Sequence, residues 1–207
     1  MLDVILLIIF AALPAIVLHE IAHGAAAFAL GDTTAKDAGR LTINPIKHID
    51  PVGSLLVPGA LFLVHYLGLT KSLILFGWAK PVPVNFRRLK PIRLGMILVA
   101  AAGPLVNIIL AFILVQLYKL PFFSSWDYVL GWGILLNLTL AVFNMVPIPP
   151  LDGSRVVMGI LPKPLLIYYV RLEPYGFLIV LILLQLGFLR FLYPVISALG
   201  ALLGIQI

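Results

Sequence analysis

Long apolar stretches alternate with short polar clusters along the whole chain. The apolar stretches lie at residues 2–30, 52–79, 94–118, 128–146, 174–190 and 191–207. A helix needs roughly 17 to 25 residues to cross a bilayer, and each stretch is close to or above that length. The pattern predicts an all-α polytopic membrane protein with five or six transmembrane helices and short extended or re-entrant segments between them. The stretch at 52–79, which Pro58 and Gly59 interrupt, is predicted to be one tilted span or a span plus a re-entrant piece.

Two of the polar connections are predicted to be non-helical. Residues 40–43 alternate between polar and apolar side chains, which favours a short strand, and the Asx-Pro steps that follow favour turns. Pro81 and Pro83 exclude a helix at residues 77–85, because each proline restricts the preceding residue to extended backbone. This segment is either a stiff connector near the membrane surface or an edge that binds an unwound peptide by strand addition.

Composition supports a membrane protein and limits the available chemistry. The 207 residues are 62% hydrophobic and 11% charged, which a water-soluble domain of this length would not tolerate on its surface. The net charge of +6 does not indicate nucleic-acid binding, because the basic residues lie in short loops without interleaved aromatics. The basic cluster at residues 78–93 contains no acid, which predicts a cytoplasmic position. Because cysteine is absent, any metal ligand must be His, Asp or Glu.

The first apolar stretch contains the sequence HEIAH at residues 19–23. Histidines four apart project from the same side of a helix and can share one ion. With a glutamate between them they form the zincin arrangement, in which two imidazoles bind Zn²⁺ and the glutamate accepts a proton from water. Ionisable groups at bilayer depth cost about 2 to 3 kcal/mol each, so they rarely lack a function. We predict His19 and His23 as ligands and Glu20 as general base. The alternative is two hydrogen-bonded core histidines with a capping glutamate.

A second polar interruption follows the fourth apolar stretch. The three prolines of PIPP at residues 147–150 end a helix, and irregular backbone at membrane depth is tolerated only inside protein or beside a water-filled cavity. Asp152 follows them and by itself would be interpreted as the cap of a new helix. A catalytic zinc takes three protein ligands, however, and few other candidates exist. We therefore predict Asp152 as the third ligand. His48 and Asp50 are less favoured, since they lie in a turn-rich loop.

Taken together, these stretches resemble the site-2 protease family, intramembrane zinc metalloproteases that cleave membrane-embedded substrates. The resemblance rests on HEIAH at 19–23, on GPLVN at 103–107, and on residues 144–153 with their PIPPLDG core, and it covers about residues 15–160. Gly103-Pro104 is predicted to break or kink its helix. Many members carry a PDZ or CBS domain, but no polar block here is long enough for either. We expect one transmembrane protease domain over residues 1–207, with additional C-terminal spans at about 174–207.

The resemblance implies specific roles for individual residues. His19, His23 and Asp152 would bind one zinc ion, Glu20 would be the general base, and Asn144 would help to hold the substrate or its oxyanion. The candidate substrate-binding residues are Asn107, Asn144, Pro81, Val82 and Pro83. Asn107 has a second interpretation, as a buried amide that only joins neighbouring helices.

The predicted activity is hydrolysis of peptide bonds within or near the transmembrane segments of membrane-spanning proteins, as in regulated intramembrane proteolysis. The protein is expected in the lipid bilayer of a bacterial or archaeal cell membrane, with its site nearer the cytoplasmic side. Two alternatives remain open. One is a membrane metal transporter or carrier that uses the same His and Asp residues, although we find no internal repeat in the sequence. The other is a non-cleaving relative that binds single-span proteins.

Overall fold

Helices and irregular connections make up the described part of the chain, which in this computed structural model comprises residues 2–69 and 79–206. The helices are α1 (Leu2–Leu7), α2 (Leu13–Ala29), α3 (Thr34–Asp37), α4 (Val57–Tyr66), α5 (Ile92–Tyr118), α6 (Asp127–Asn144), α7 (Asp152–Ile160), α8 (Lys163–Val170), α9 (Glu173–Gln185) and α10 (Leu189–Leu203). A π-helical turn joins α1 to α2 and another precedes α4. No strand occurs in these residues, so the all-α fold class is confirmed.

Three helical segments of the described chain are long and apolar enough to cross a membrane: Ile5–Ala29, Ile92–Tyr118 and Pro121–Asn144. A fourth span results if α8 and α9, which meet at a 63° bend, are counted as one. The prediction of five or six spans is therefore not confirmed. Other apolar helices of the described chain, such as α4 and α10, are each shorter than a bilayer crossing.

One local prediction was wrong. A short strand was predicted at residues 40–43, but residues 41–43 form bends without a partner strand in the described chain, and the Arg40 side chain is buried. Gly103-Pro104 was predicted to break or kink its helix, and α5 continues without a break through both residues from Ile92 to Tyr118. Pro104 lacks only one donor, and buried helices tolerate such a loss when neighbours pack around the proline. Residues 79–85 are non-helical as predicted, and residues 70–78 lie outside the described residues.

The long helix α5 lies at the centre of the fold and contacts α2, α6 and α7. Small residues on the facing surfaces of α2 and α5, such as Ala15 and Gly103, allow the two helices to approach closely. On its other side, α5 packs with α6 and α10 around fully buried Ile134 and its neighbours. The two histidines of α2 therefore face α5 inside the helical core.

Candidate metal centre

Three predicted ligand residues come together between α2, α5 and the start of α7. His19 Nε2 and His23 Nε2 lie 3.0 Å apart. Oδ2 of Asp152 lies 3.1 Å from the first and 3.3 Å from the second of these atoms. Both histidines are more than nine-tenths buried, and the Asp152 side chain is 20% exposed. Residues far apart in sequence thus present three metal-ligating atoms to one point.

The outer nitrogen of each imidazole has an acceptor that fixes its tautomer. His23 Nδ1 lies 2.7 Å from Val99 O, and His19 Nδ1 lies 2.5 Å from Asn107 Oδ1. A carbonyl oxygen can only accept a hydrogen bond, so both Nδ1 atoms must carry the proton. In the neutral imidazoles, Nε2 of each ring then carries no proton and has a free lone pair.

The residues fit a zinc ion because three electron pairs converge with no proton between them. Neither Nε2 has a hydrogen to donate, and Asp152 Oδ2 is buried without a hydrogen-bond donor in the described chain. Such an arrangement is repulsive and costly unless a cation lies among the three atoms. Two imidazole nitrogens and one carboxylate oxygen are a donor set that zinc takes in catalytic sites, where a fourth position stays open.

Gly103 of α5 forms the wall behind the converging atoms. A Cβ atom at this position would lie 2.5 Å from His23 Nε2 and 2.6 Å from His19 Nε2. Any other residue would therefore place a methyl group where the ligand atoms meet. Gly103-Pro104 was predicted to break or kink its helix; in the structure Gly103 leaves space for the imidazoles.

Asn107 lies directly behind the histidines and uses both ends of its amide. Its nitrogen donates to Ala15 O at 3.2 Å and to Asn137 Oδ1 at 2.8 Å, while its oxygen faces His19. These contacts match the interpretation of Asn107 as a residue that joins helices. Its role in substrate binding stays a prediction.

The Glu20 carboxylate contacts the non-helical segment at 79–85. Its Oε2 atom accepts a hydrogen bond of 2.7 Å from the backbone N–H of Val82. Val82 is buried, and its side chain packs so close to α2 that a Cβ on Gly24 would lie 2.8 Å from Val82 Cγ1. The predicted general base therefore lies between the metal centre and the segment that the sequence analysis proposed for substrate binding.

The loop after α2 holds this segment in place through its backbone. Lys80 N donates to His48 O at 2.9 Å, and the buried Arg40 donates from Nη2 to Lys80 O at 2.6 Å. Asn85 N donates to Asp32 Oδ2 at 2.6 Å. Sequence reasoning missed Asp32 and Arg40, although a fully buried acid and a nearly buried guanidinium usually have a positioning role.

Asp32 is charged because its hydrogen bonds lower the pKa of its carboxyl by more than burial raises it. Burial raises the pKa of its carboxyl, but donors from the Thr34 hydroxyl, the Asn85 and Thr34 amides and the nearby Arg88 guanidinium lower the pKa below its usual value. The anion therefore fastens the segment at 79–85 to the end of α2.

His48 and Asp50, the less favoured ligand candidates, lie outside the metal centre. His48 Nε2 contacts Thr42 O at 2.9 Å, and Asp50 Oδ1 accepts hydrogen bonds from Val52 N and Gly53 N at the start of a helical turn. Both side chains organise the loop that follows α3.

The C-terminal helices support the turn that presents Asp152. The Tyr169 hydroxyl donates to Pro147 O at 2.8 Å, and Gly176 packs against Pro149 so closely that a Cβ would overlap the Pro149 carbonyl. Gly153 likewise leaves no room for a Cβ beside Met145 O. The sequence analysis found no candidate chemistry in these C-terminal stretches, and only contacts across the fold reveal this supporting role.

Asn144 lies at the C-terminal end of α6, just before that turn. Its Nδ2 atom donates to Leu140 O in its own helix at 3.0 Å, and its side chain is partly exposed. Its Oδ1 atom accepts no hydrogen bond from the described residues. Its predicted role in holding a substrate stays a prediction.

Comparison with known proteins gives one family. Residues 119–185, which include the Asp152 turn, match the model described as Peptidase family M50. The Bacillus subtilis (strain 168) protein named "Putative zinc metalloprotease YwhC" is 40% identical over 176 residues, which cover 80% of this chain and 74% of that protein. No solved structure matches the chain significantly.

Two mycobacterial proteins are also similar. "Putative zinc metalloprotease Rip2" of Mycolicibacterium smegmatis is 30% identical over 188 residues, covering 87% of this chain and 67% of its own length. The protein of the same name from Mycobacterium tuberculosis H37Rv is 32% identical over 155 residues, covering 72% of this chain and 55% of its own length. These names agree in assigning zinc and proteolysis to proteins like this one.

Proposed function

This chain belongs to the site-2 protease family, peptidase family M50, and from that premise we propose that it hydrolyses peptide bonds within or near the transmembrane segments of membrane-spanning proteins. As a zinc metalloprotease it would hold one zinc ion with His19, His23 and Asp152. The observation that carries the proposal is the convergence of two bare imidazole nitrogens and a carboxylate oxygen, with a second carboxylate beside them. That combination is the minimum for metal-assisted hydrolysis.

Glu20 is proposed as the proton carrier of the reaction. Zinc, when bound, supplies the Lewis acidity that activates water and polarises a scissile carbonyl. The Glu20 carboxylate accepts the proton that water loses as its oxygen bonds to the carbonyl carbon. It then returns this proton to the amide nitrogen as the C–N bond breaks. Because Val82 N–H holds only Oε2, the Oε1 atom is left to face the reacting water.

Pro81, Val82 and Pro83 are proposed to bind an unwound substrate strand beside Glu20. Pro81 and Pro83 have no N–H group, so few backbone hydrogen-bond donors remain in this segment. No partner among the described residues reaches Val82 O or Val84 N–H. Free groups of this kind on a non-helical segment can pair with an extended peptide by strand addition. Asn144 is proposed to contact the same substrate from the opposite side of the centre.

The site is proposed to lie nearer the cytoplasmic side of a bacterial or archaeal cell membrane. The segment that contacts Glu20 continues directly into basic residues at 87–93, which favour the cytoplasmic face. Substrates released by an earlier cut, as in regulated intramembrane proteolysis, would reach the centre from within the bilayer.

The test measures zinc content and cleavage of single-span model substrates by the purified protein in detergent. We expect about one zinc per chain and cleavage by the unchanged protein only. Glu20→Gln should keep zinc and lose cleavage, whereas Asp152→Ala should lose zinc. Asp127→Asn, an acid at the opposite end of α6 from Asn144, is the matched control and should behave like the unchanged protein.

Two outcomes would contradict the proposal. Zinc uptake across a bilayer by the Glu20→Gln variant, without cleavage by the unchanged protein, would support a transporter. Absence of zinc from the unchanged protein would exclude the metal centre altogether.

A further inference from the structure

Behind His19, a chain of two buried asparagines connects α6 to α2. Asn137 of α6 is 2% exposed and Asn107 of α5 is fully buried. They are joined by the 2.8 Å hydrogen bond from Asn107 Nδ2 to Asn137 Oδ1. Two amides in the apolar interior of a helical membrane protein are costly unless each group is paired. The nitrogen and the oxygen of both amides each have a hydrogen-bond partner, so the cost of burying them is offset.

Two backbone carbonyls set the direction of this chain, Gly133 O at its far end in α6 and Ala15 O beside Asn107 in α2. Asn137 Nδ2 lies 2.8 Å from Gly133 O, a backbone carbonyl that can only accept. The nitrogen end of Asn137 must therefore face Gly133, and its oxygen end must face Asn107. This in turn requires Asn107 to direct its nitrogen towards Asn137 and its oxygen towards His19. The proton on His19 is then confined to Nδ1.

We propose that Asn137 is a positioning residue for the metal centre, which fixes the amide of Asn107 and, through it, holds His19 in the tautomer whose Nε2 can bind zinc. The inference rests on the proposed zinc site. Asn137 acts only through another residue, because Asn107 lies between it and His19. Outer partners of metal-binding histidines commonly fix ring orientation and tautomer in this way.

The second histidine provides an internal comparison. His23 Nδ1 donates directly to Val99 O, a backbone carbonyl that no side chain needs to orient. Loss of Asn137 should therefore disturb His19 and leave His23 unchanged. Damage to helix packing would instead affect both rings, because both lie on α2 against α5.

The test compares Asn137→Leu with Asn137→Asp. Leucine has a similar volume but no polar group, so Asn107 loses its shorter hydrogen bond and keeps only the 3.2 Å contact from Nδ2 to Ala15 O to hold its oxygen towards His19. A buried, neutral aspartic acid keeps both functions, because its carbonyl oxygen accepts from Asn107 and its hydroxyl donates to Gly133 O. Asn137→Asp should therefore behave like the unchanged protein.

Two measurements that do not require protease activity give the result. The chain has only four histidines, so ¹⁵N-histidine labelling of the zinc-free protein resolves each ring and reports its tautomer. Asn137→Leu should show mixed tautomers at His19 alone. Its zinc affinity, measured by chelator competition, should fall about 10- to 100-fold.

The inference is overturned if Asn137→Leu keeps both the His19 tautomer and its zinc affinity, or if leucine and aspartate cause equal losses at both histidines. If Asn137→Leu does not fold, Asn137→Met is the second variant, because the flexible thioether fills irregular space but lacks both amide groups. A protein that binds no zinc at all would instead refute the proposed function, so the two failures are distinguishable.

Discussion

The two sides of the metal centre are built in different ways. The rear side consists of His19 and His23 with Gly103 and Asn107 behind them, all on regular helices in the buried core. The front side consists of the non-helical segment at 79–85 and the proline turn that carries Asp152. On the rear side the backbone N–H and C=O groups are paired within their own helices, so side chains alone shape the site. On the front side, single hydrogen bonds hold irregular backbone in position.

This difference predicts how each side responds to change. A close-packed helical wall cannot shift to accommodate an added atom, because interiors of this kind are packed at the density of crystals. A turn or extended segment has more ways to relax, and losing one contact shifts it without destroying it. We therefore expect large, all-or-none effects at the rear side and graded effects at the front side.

Gly103→Ala tests the rear side and should give the largest effect. The new methyl group would lie 2.5 Å from His23 Nε2 and 2.6 Å from His19 Nε2, which is too close for any relaxed packing. Displaced ligand atoms should abolish stoichiometric zinc binding. The kcat/KM for a model substrate should fall by about 100-fold or more, because misplacements of this size have that effect in active sites.

Gly131→Ala is the matched control for this experiment. Gly131 lies on α6, where a Cβ would have no described atom outside its own helix within 4 Å, so the same substitution should leave zinc binding and cleavage unchanged. If Gly103→Ala kept one zinc per chain and normal kcat/KM, the rear side would accommodate an added methyl group. The expectation of all-or-none effects on that side would then be wrong.

Val82→Pro tests the front side at Glu20 and should give an intermediate effect. The substitution removes the N–H that donates to Glu20 Oε2, so the carboxylate loses the contact that orients it. We expect kcat to fall about 10-fold, as for the loss of one oriented group, with zinc content unchanged. Steady-state kinetics with parallel metal analysis measure both quantities.

Val82→Ala separates this hydrogen bond from side-chain packing. It keeps the N–H but loses the methyl groups that pack near Gly24, so we expect less than about a threefold change in kcat. Equal effects of proline and alanine would show that packing, and not the contact with Glu20, matters at this position.

The comparison also explains what the sequence could predict. His19, Glu20 and His23 lie within five residues of one helix, so helical spacing alone determines that the two imidazoles meet. Asp152 was reached by counting the ligands that zinc needs, and the structure brings it to the same point. The all-helical class follows from the long apolar stretches. Local spacing and composition therefore determine the class of the fold and the core of the site.

Contacts between distant elements could not be predicted. The hydrogen bond from Asn107 Nδ2 to Asn137 Oδ1 depends on how α6 is rotated against α5, and no local pattern specifies that angle. The buried position of Arg40 likewise depends on Lys80, which lies in a different connection. The count of five or six spans is not confirmed, because hydropathy marks apolar stretches without showing which of them form one continuous helix, and three helices of the described chain are long enough to cross a membrane.

Tyr169→Phe tests the proline turn and should give the smallest effect. It removes one hydroxyl that donates to Pro147 O at 2.8 Å, while Gly176 still packs against the same turn from α9. A single hydrogen bond contributes about 0.5 to 1.5 kcal/mol, so zinc affinity should weaken by only about two- to tenfold. Tyr168→Phe, at an exposed neighbouring ring, is the matched control and should have no effect. A complete loss of zinc in Tyr169→Phe would mean that the front side depends on single contacts as strictly as the rear side depends on packing.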